Sequence, residues 1–208
     1  MRLVERDFVV LREVFRFKCC LGRHLKQLAN FSSQRTADRR LKLLVDNGYL
    51  ERKRILYGIP AIYSLTAKSK KLLNYGLHKD SIRVEHIIHD ITVLDTVIYF
   101  LGNYPITLSD IQSEKELHQN DGFGVRFHRP DFVFQNGKCY CVEVELNLKS
   151  TVRFEQNIKI NFQNYDVQIW VVDDEKPKIR SFLEKKSIES PNIEVINLKE
   201  IKEYARNL

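Results

Sequence analysis

Three carboxylates, Asp131, Glu143 and Glu145, carry the spacing best suited to chemistry in this sequence. They flank Gln135-Asn136-Gly137-Lys138, and Asn-Gly between two alternating runs is a strong β-hairpin signal. Phe132 and Phe134 mark one face of the first strand. Tyr140, Val142, Val144 and Leu146 mark one face of the second. Because side chains alternate with a period of two, matching the apolar faces forces the three acids together on the other face. Crowded like charges invite a divalent cation or a basic partner, and oxygen ligands favour Mg²⁺ or Mn²⁺. The unspecific reading is an acidic strand face neutralised by Lys149 and Arg153.

A second set is basic. Gln34, Arg35, Arg39 and Lys42 occupy one side of a helix expected over residues 34–46, opposite the stripe Ala37, Leu41, Leu44 and Val45. Ser32 or Ser33 is its natural N-cap, and Asn47-Gly48 ends it. Arg52, Lys53 and Arg54 follow in a hairpin strand. Arginine forms two hydrogen bonds with guanine in a major groove, whereas a basic hairpin meets phosphate or minor groove. These seven residues are therefore the candidate DNA-binding set.

The elements that position the basic set run in the order helix, helix, helix, hairpin, helix. The first, over 5–17, turns Phe8, Val9, Leu11, Val14 and Phe15 inward and leaves Arg6, Arg12 and Arg16 off that face. A short helix spans 23–30. Strands over 49–55 and 61–65 flank the turn Gly58-Ile59-Pro60, and Thr66 caps a helix over 67–74. A long apolar helix over 81–101 opens a second domain, placing the boundary at 78/79. Glu85, His86, His89 and Asp90 lie on it, where a surface cluster or a hydrogen-bonded core histidine is commoner than a metal site. Beyond the acidic hairpin come a helix, a strand over 167–172, a helix over 178–186, a strand over 193–196 and a helix over 199–205. The fold class is mixed α/β.

Leu-x-x-Asn-Gly-Tyr-Leu, the basic hairpin and Tyr-Ser-Leu-Thr together resemble the winged-helix family over residues 5–75. That resemblance implies a winged helix-turn-helix that binds double-stranded DNA. Pro130-Asp131, the hairpin and Glu143-x-Glu145 resemble the PD-(D/E)xK, or restriction-endonuclease-like, fold. In that family an Asp and a Glu hold the metal and a Lys two residues on assists the attacking water. The resemblance implies Asp131 and Glu143 as metal ligands and Asp131, Glu143, Glu145 and Lys149 as the candidate catalytic set, with Lys159 as an alternative source of the amine; Glu145 stands where the Lys is expected, which puts cleavage in doubt. The longer pattern, with Lys149-Ser150, Arg153 and the His89-Asp90 helix, is similar to the replication-relaxation family of plasmids and conjugative elements. The resemblance implies a DNA-binding accessory role, with a relaxase or replication initiator as partner. An active endonuclease and a winged-helix transcriptional regulator are the alternatives.

Charge distribution agrees with a division of labour. Residues 1–80 hold 18 Lys+Arg against 7 Asp+Glu, a net of +11, and residues 81–208 hold 16 against 20, a net of −4. A basic half has the electrostatic footprint of a phosphate-backbone binder. At 43% hydrophobic and 29% charged, the chain is too apolar for disorder. No run of eighteen apolar residues suggests a membrane span, and Met1 to Asp7 alternates charge with apolar residues, unlike a signal peptide. Cys19, Cys20, Cys139 and Cys141 have poor zinc spacing and read as reduced thiols in a cytoplasmic protein. Walker loops, dinucleotide fingerprints and Ser-His-Asp constellations are missing from the sequence.

Overall fold

A computed structural model describes residues 1–75, 82–119, 121, 127–147 and 150–208. The fold is mixed α/β with two sheets, and the chain divides into two compact units: residues 1–98 with Leu208, and residues 99–207.

The first unit runs α1 (Glu5–Arg16), β1 (Cys20–Leu21), α2 (Gly22–Leu28), α3 (Gln34–Asp46), β2 (Leu50–Lys53), β3 (Ile62–Leu65) and α4 (Ala67–Leu72). Its antiparallel sheet has the order β1-β3-β2, with Arg52 opposite Tyr63 and Leu50 opposite Leu65. Capping fixes the helix starts. The Ser33 side chain accepts from the Thr36 amide, and that of Thr66 accepts from the Ser69 amide. Gly48, at φ 71°, closes α3 in the left-handed conformation that glycine adopts without strain.

The inward side of α1 differs from the sequence expectation. Val10, Leu11, Val14 and Phe15 are buried, but so are Asp7, Glu13 and Arg16. Arg16 does not lie off the core face: its guanidinium donates to Glu13 at 2.9 and 3.1 Å, so both charges are buried as a pair. The strand expected over 49–55 stops at Lys53. Ile55, Leu56 and Ile59 instead pack on a cluster of Cys19, Leu21, Ile62, Ile87 and Ile91.

The long apolar helix, α5 (Ile87–Asn103), follows a 3₁₀ turn at Val84–His86. The division between the two compact units falls inside it, between residues 98 and 99. Ile87 and Ile91 belong to the first core. Phe100 contacts Phe132 and Phe134 in the second.

The second unit continues with β4 (Ile111–Ser113), α6 (Glu114–His118), β5 (Phe132–Gln135), β6 (Cys139–Glu145), α7 (Thr151–Asn164), β7 (Val167–Val172), α8 (Pro177–Lys186), β8 (Ile193–Asn197) and α9 (Leu198–Arg206). The sheet order is β4-β5-β6-β7-β8; the first three strands are antiparallel and the last three parallel. Phe132 faces Val142 and Phe134 faces Tyr140. Their rings join Phe100 and Tyr104 in an aromatic layer on one side of the sheet. On the other side Trp170 and Val172 pack with Phe154 and Ile158 of α7 and with Ile179 and Leu183 of α8. The acids of β6 point toward this helix-covered side, because Glu143 is in register with Trp170. No helix among the described residues is long and apolar enough to cross a membrane.

Candidate nucleic-acid interface and acidic site

On α3 the polar side belongs to solvent. Gln34, Arg35, Arg39 and Lys42 are exposed, while Ala37, Leu41 and Leu44 are fully buried. Gln34 donates to Asp38 at 2.8 Å. Among the described residues, Arg35, Arg39 and Lys42 have no hydrogen-bond or ion-pair partner. Arg40 shares the helix but does the opposite. It donates to both oxygens of fully buried Asp7 and to the carbonyl of Arg2, so it ties α3 to α1. Arg52, Lys53 and Arg54 are exposed on the hairpin. Lys53 pairs with Glu51 at 2.6 Å, and both groups face water, so the bond adds little.

Between α2 and α5 lies a charged network that the sequence reading missed. Asp95 of α5 accepts from Arg23 with both oxygens at 2.7 Å and from His24 at 3.0 Å. The Nδ1 atom of His24 accepts from the Leu21 amide, so Nε2 carries the proton given to Asp95. Burial pushes the Asp95 carboxyl up, but its hydrogen bonds with His24 and Arg23 outweigh this and hold it below the ordinary range. Burial lowers His24 despite the carboxylate beside it. The available signal was Asp95 itself, a carboxylate one position from Leu94 in an apolar run.

In the second unit, the register places Asp131 and Glu143 on neighbouring strands and the same side, as strand alternation requires. The three acids do not form an open acidic surface. Glu143 is only 9% exposed and accepts from Asn161 at 2.9 Å, while His128 Nε2 lies 2.8 Å from the same oxygen. Burial pushes its carboxyl up, and the Asp131 charge adds to that; His128 and Asn161 act in the other direction. Asp131 is half-buried and accepts from the Val144 amide at 2.7 Å, which clips it to β6. Glu145, also half-buried, accepts from the Asn147 amide.

Of the two candidate lysines, Lys149 lies outside the described residues. Lys159 is exposed and lines a cavity with Glu155, Phe162 and Lys186, away from the acids. His128 and Asn161 are the residues that the sequence reading left out of this site. His128 precedes Asp131 by three positions. Asn161 continues the buried stripe Phe154, Ile158 of α7, and a polar residue at an apolar position is the signal that would have found it.

Among the described residues, no group of three His, Cys, Asp or Glu side chains is arranged to hold a metal ion. One oxygen of each expected Mg²⁺ or Mn²⁺ ligand already has a neighbour: Asp131 Oδ2 accepts from the Val144 amide, and Glu143 Oε1 accepts from Asn161 and lies against His128. The four cysteines are unpaired, and burial pushes the Cys20 and Cys141 thiols well up, which disfavours their thiolate forms.

Comparison with known proteins adds no family. No family model and no curated protein matches the chain. Among solved structures, a chain described as "PigF with SAH" is 11% identical and aligns over 94% of this chain and 62% of that one. Its TM-score of 0.21 is too low to indicate a common fold, so the likeness carries no argument about this chain.

Proposed function

We propose that the first unit is a winged-helix domain that binds double-stranded DNA. In this reading α3 is the groove-reading helix and the β2–β3 hairpin is the wing. One observation carries it: Arg35, Arg39 and Lys42 stand exposed along α3 while its opposite stripe is locked in the core. Ion pairing inside the protein leaves those cations unused, and a phosphate backbone is the partner that such a row fits. The net charge of +11 over residues 1–80 supports the same choice over a protein-docking role.

The second unit, in this reading, is a PD-(D/E)xK-like scaffold that does not cleave. Its two antiparallel turns of sheet followed by parallel strands support the scaffold. The bonds already made by Asp131 and Glu143, and the acid at Glu145, support the loss of chemistry. A DNA-binding accessory protein of the replication-relaxation type, acting in plasmid replication or mobilisation beside a relaxase or initiator, is the function that unites the two parts.

A gel-shift titration tests the DNA claim. Changing Arg35→Ala together with Arg39→Ala is expected to weaken duplex binding at least tenfold and to flatten its salt dependence. Unchanged affinity would remove α3 from the interface. For the second unit, supercoiled plasmid with Mg²⁺ or Mn²⁺ is expected to stay intact. Nicking that disappears in Asp131→Ala would make the protein an endonuclease instead.

A further inference from the structure

The tip of the β2–β3 hairpin holds the most exposed of the large apolar side chains among the described residues. Tyr57 is 105% exposed, so both faces of its ring meet water. Its neighbours are not loose. Ile55 and Leu56 on one side and Ile59 on the other pack against Cys19, Leu21, Ile62, Ile87 and Ile91. Gly58 follows Tyr57 at φ 77°, a left-handed turn position that suits glycine. The loop is thus pinned to the core on both sides of a ring that contributes nothing to that core. Arg52, Lys53 and Arg54 lie just before it, all exposed.

We propose that Tyr57 is a base-stacking residue, so that the protein favours duplex DNA interrupted by an unpaired or unstacked base over continuous duplex. The inference rests on the DNA-binding reading above and specifies the form of DNA. An aromatic ring gains most from a nucleic acid by stacking on a base face, and each such stack contributes roughly tenfold or more to affinity. Continuous duplex hides its base faces within the stack and shows only edges and phosphates. Nicks, forks and bubbles show a base face at their margin. A ring whose backbone is held in place before binding has only its own side-chain freedom to lose on stacking, so the pinned loop favours this use. The adjacent cations would hold the phosphates on either side of the interruption.

The test is a fluorescence-anisotropy titration of the full chain at one salt concentration. Four labelled DNAs of common sequence serve as probes: continuous duplex, nicked duplex, forked duplex and single strand. A second set carries 2-aminopurine at the interruption. The forked and nicked probes are expected to bind roughly tenfold tighter than continuous duplex. Tyr57→Ala is expected to abolish that preference and the 2-aminopurine quenching, bringing the nicked and forked probes to the affinity of continuous duplex. Tyr57→Phe, which keeps the ring, should retain both. Equal binding of all duplex probes by the unaltered protein would overturn the inference and leave the DNA-binding reading standing. So would a Tyr57→Ala loss that is uniform across probes, which assigns the ring to a backbone contact. Failure to bind any probe would remove the DNA-binding reading and this inference with it.

Discussion

Asp95 in the first unit and Glu143 in the second are buried carboxylates that each lie against a histidine Nε2, at 3.0 and 2.8 Å. Their ionisation is nevertheless pushed in opposite directions, down for Asp95 and up for Glu143. Burial acts the same way on both. The remaining partners decide the sign. Asp95 has a guanidinium, which brings a full positive charge to both of its oxygens. Glu143 has the neutral amide of Asn161 and a second carboxylate, Asp131, nearby. A hydrogen bond from a neutral donor offsets only part of the desolvation of a charge, whereas a paired cation offsets more of it. The first unit has thus used its buried acids as fasteners, and the second holds one against its electrostatic preference.

The largest test of that contrast is Asp95→Asn. It removes the acid that Arg23 and fully buried His24 share, and a cost of about 3 kcal/mol in unfolding free energy is expected at neutral pH. The pH dependence has a definite sign. A carboxyl held below its ordinary value stabilises the fold above that value, and this contribution is lost as pH falls through the folded value. His24 acts in the same sense, since a histidine lowered from 6.5 takes its proton more readily when unfolded. Denaturant unfolding of the unaltered protein should therefore weaken below pH 6.5, and the gap to Asp95→Asn should narrow in acid. A constant gap down to pH 3 would show that the Asp95 charge is not what the network uses.

How far each region could be read from sequence follows from the same physics. Periodicity reports where apolar side chains go, so the helices other than the short α6, the acidic hairpin and the burial of Ala37, Leu41 and Leu44 were legible. The outward row Arg35, Arg39 and Lys42 came with them, as the complement of that stripe. Periodicity is blind to polar groups that are buried because something far away pairs with them. Asp7 and Arg40 are 33 residues apart, and Arg23 and Asp95 are 72 apart. Arg39 and Arg40 are adjacent and chemically identical, yet one faces solvent and the other is bonded to Asp7. In the second unit the strand period put Asp131 and Glu143 on one side but could not say that α7 covers it. Only the crossover from β6 to β7 brings Asn161 over Glu143.

A smaller effect is expected from Asn161→Leu, which sharpens the comparison from the side of the neutral donor. The substitution leaves Glu143 with His128 and one hydrogen bond fewer, at a cost of about 2 kcal/mol at neutral pH for a lost bond to a charged group. Because the ionised form suffers most, the loss should shrink as pH is lowered and the carboxyl takes a proton. A cost that is independent of pH would mean that Asn161 matters for packing alone.

Glu143→Gln is expected to change stability least, within about 1 kcal/mol, because the amide oxygen still accepts from Asn161 and the site no longer holds a charge. Its value lies in the sign of a slope. The carboxyl of Glu143 is pushed above its ordinary value, so the folded state binds its proton more tightly than the unfolded state does. Relative to Glu143→Gln, the unaltered protein should then lose stability as pH rises from the ordinary carboxylate range through the folded value, the reverse of what Asp95 contributes. Paired urea titrations from pH 4 to pH 8, with a chelator present so that no cation neutralises the site, give the difference directly. A difference that grows in favour of the unaltered protein as pH rises would mean that the charge of Glu143 is stabilised after all. In that case His128 would be acting toward Glu143 as Arg23 acts toward Asp95, and the distinction between the two units would collapse.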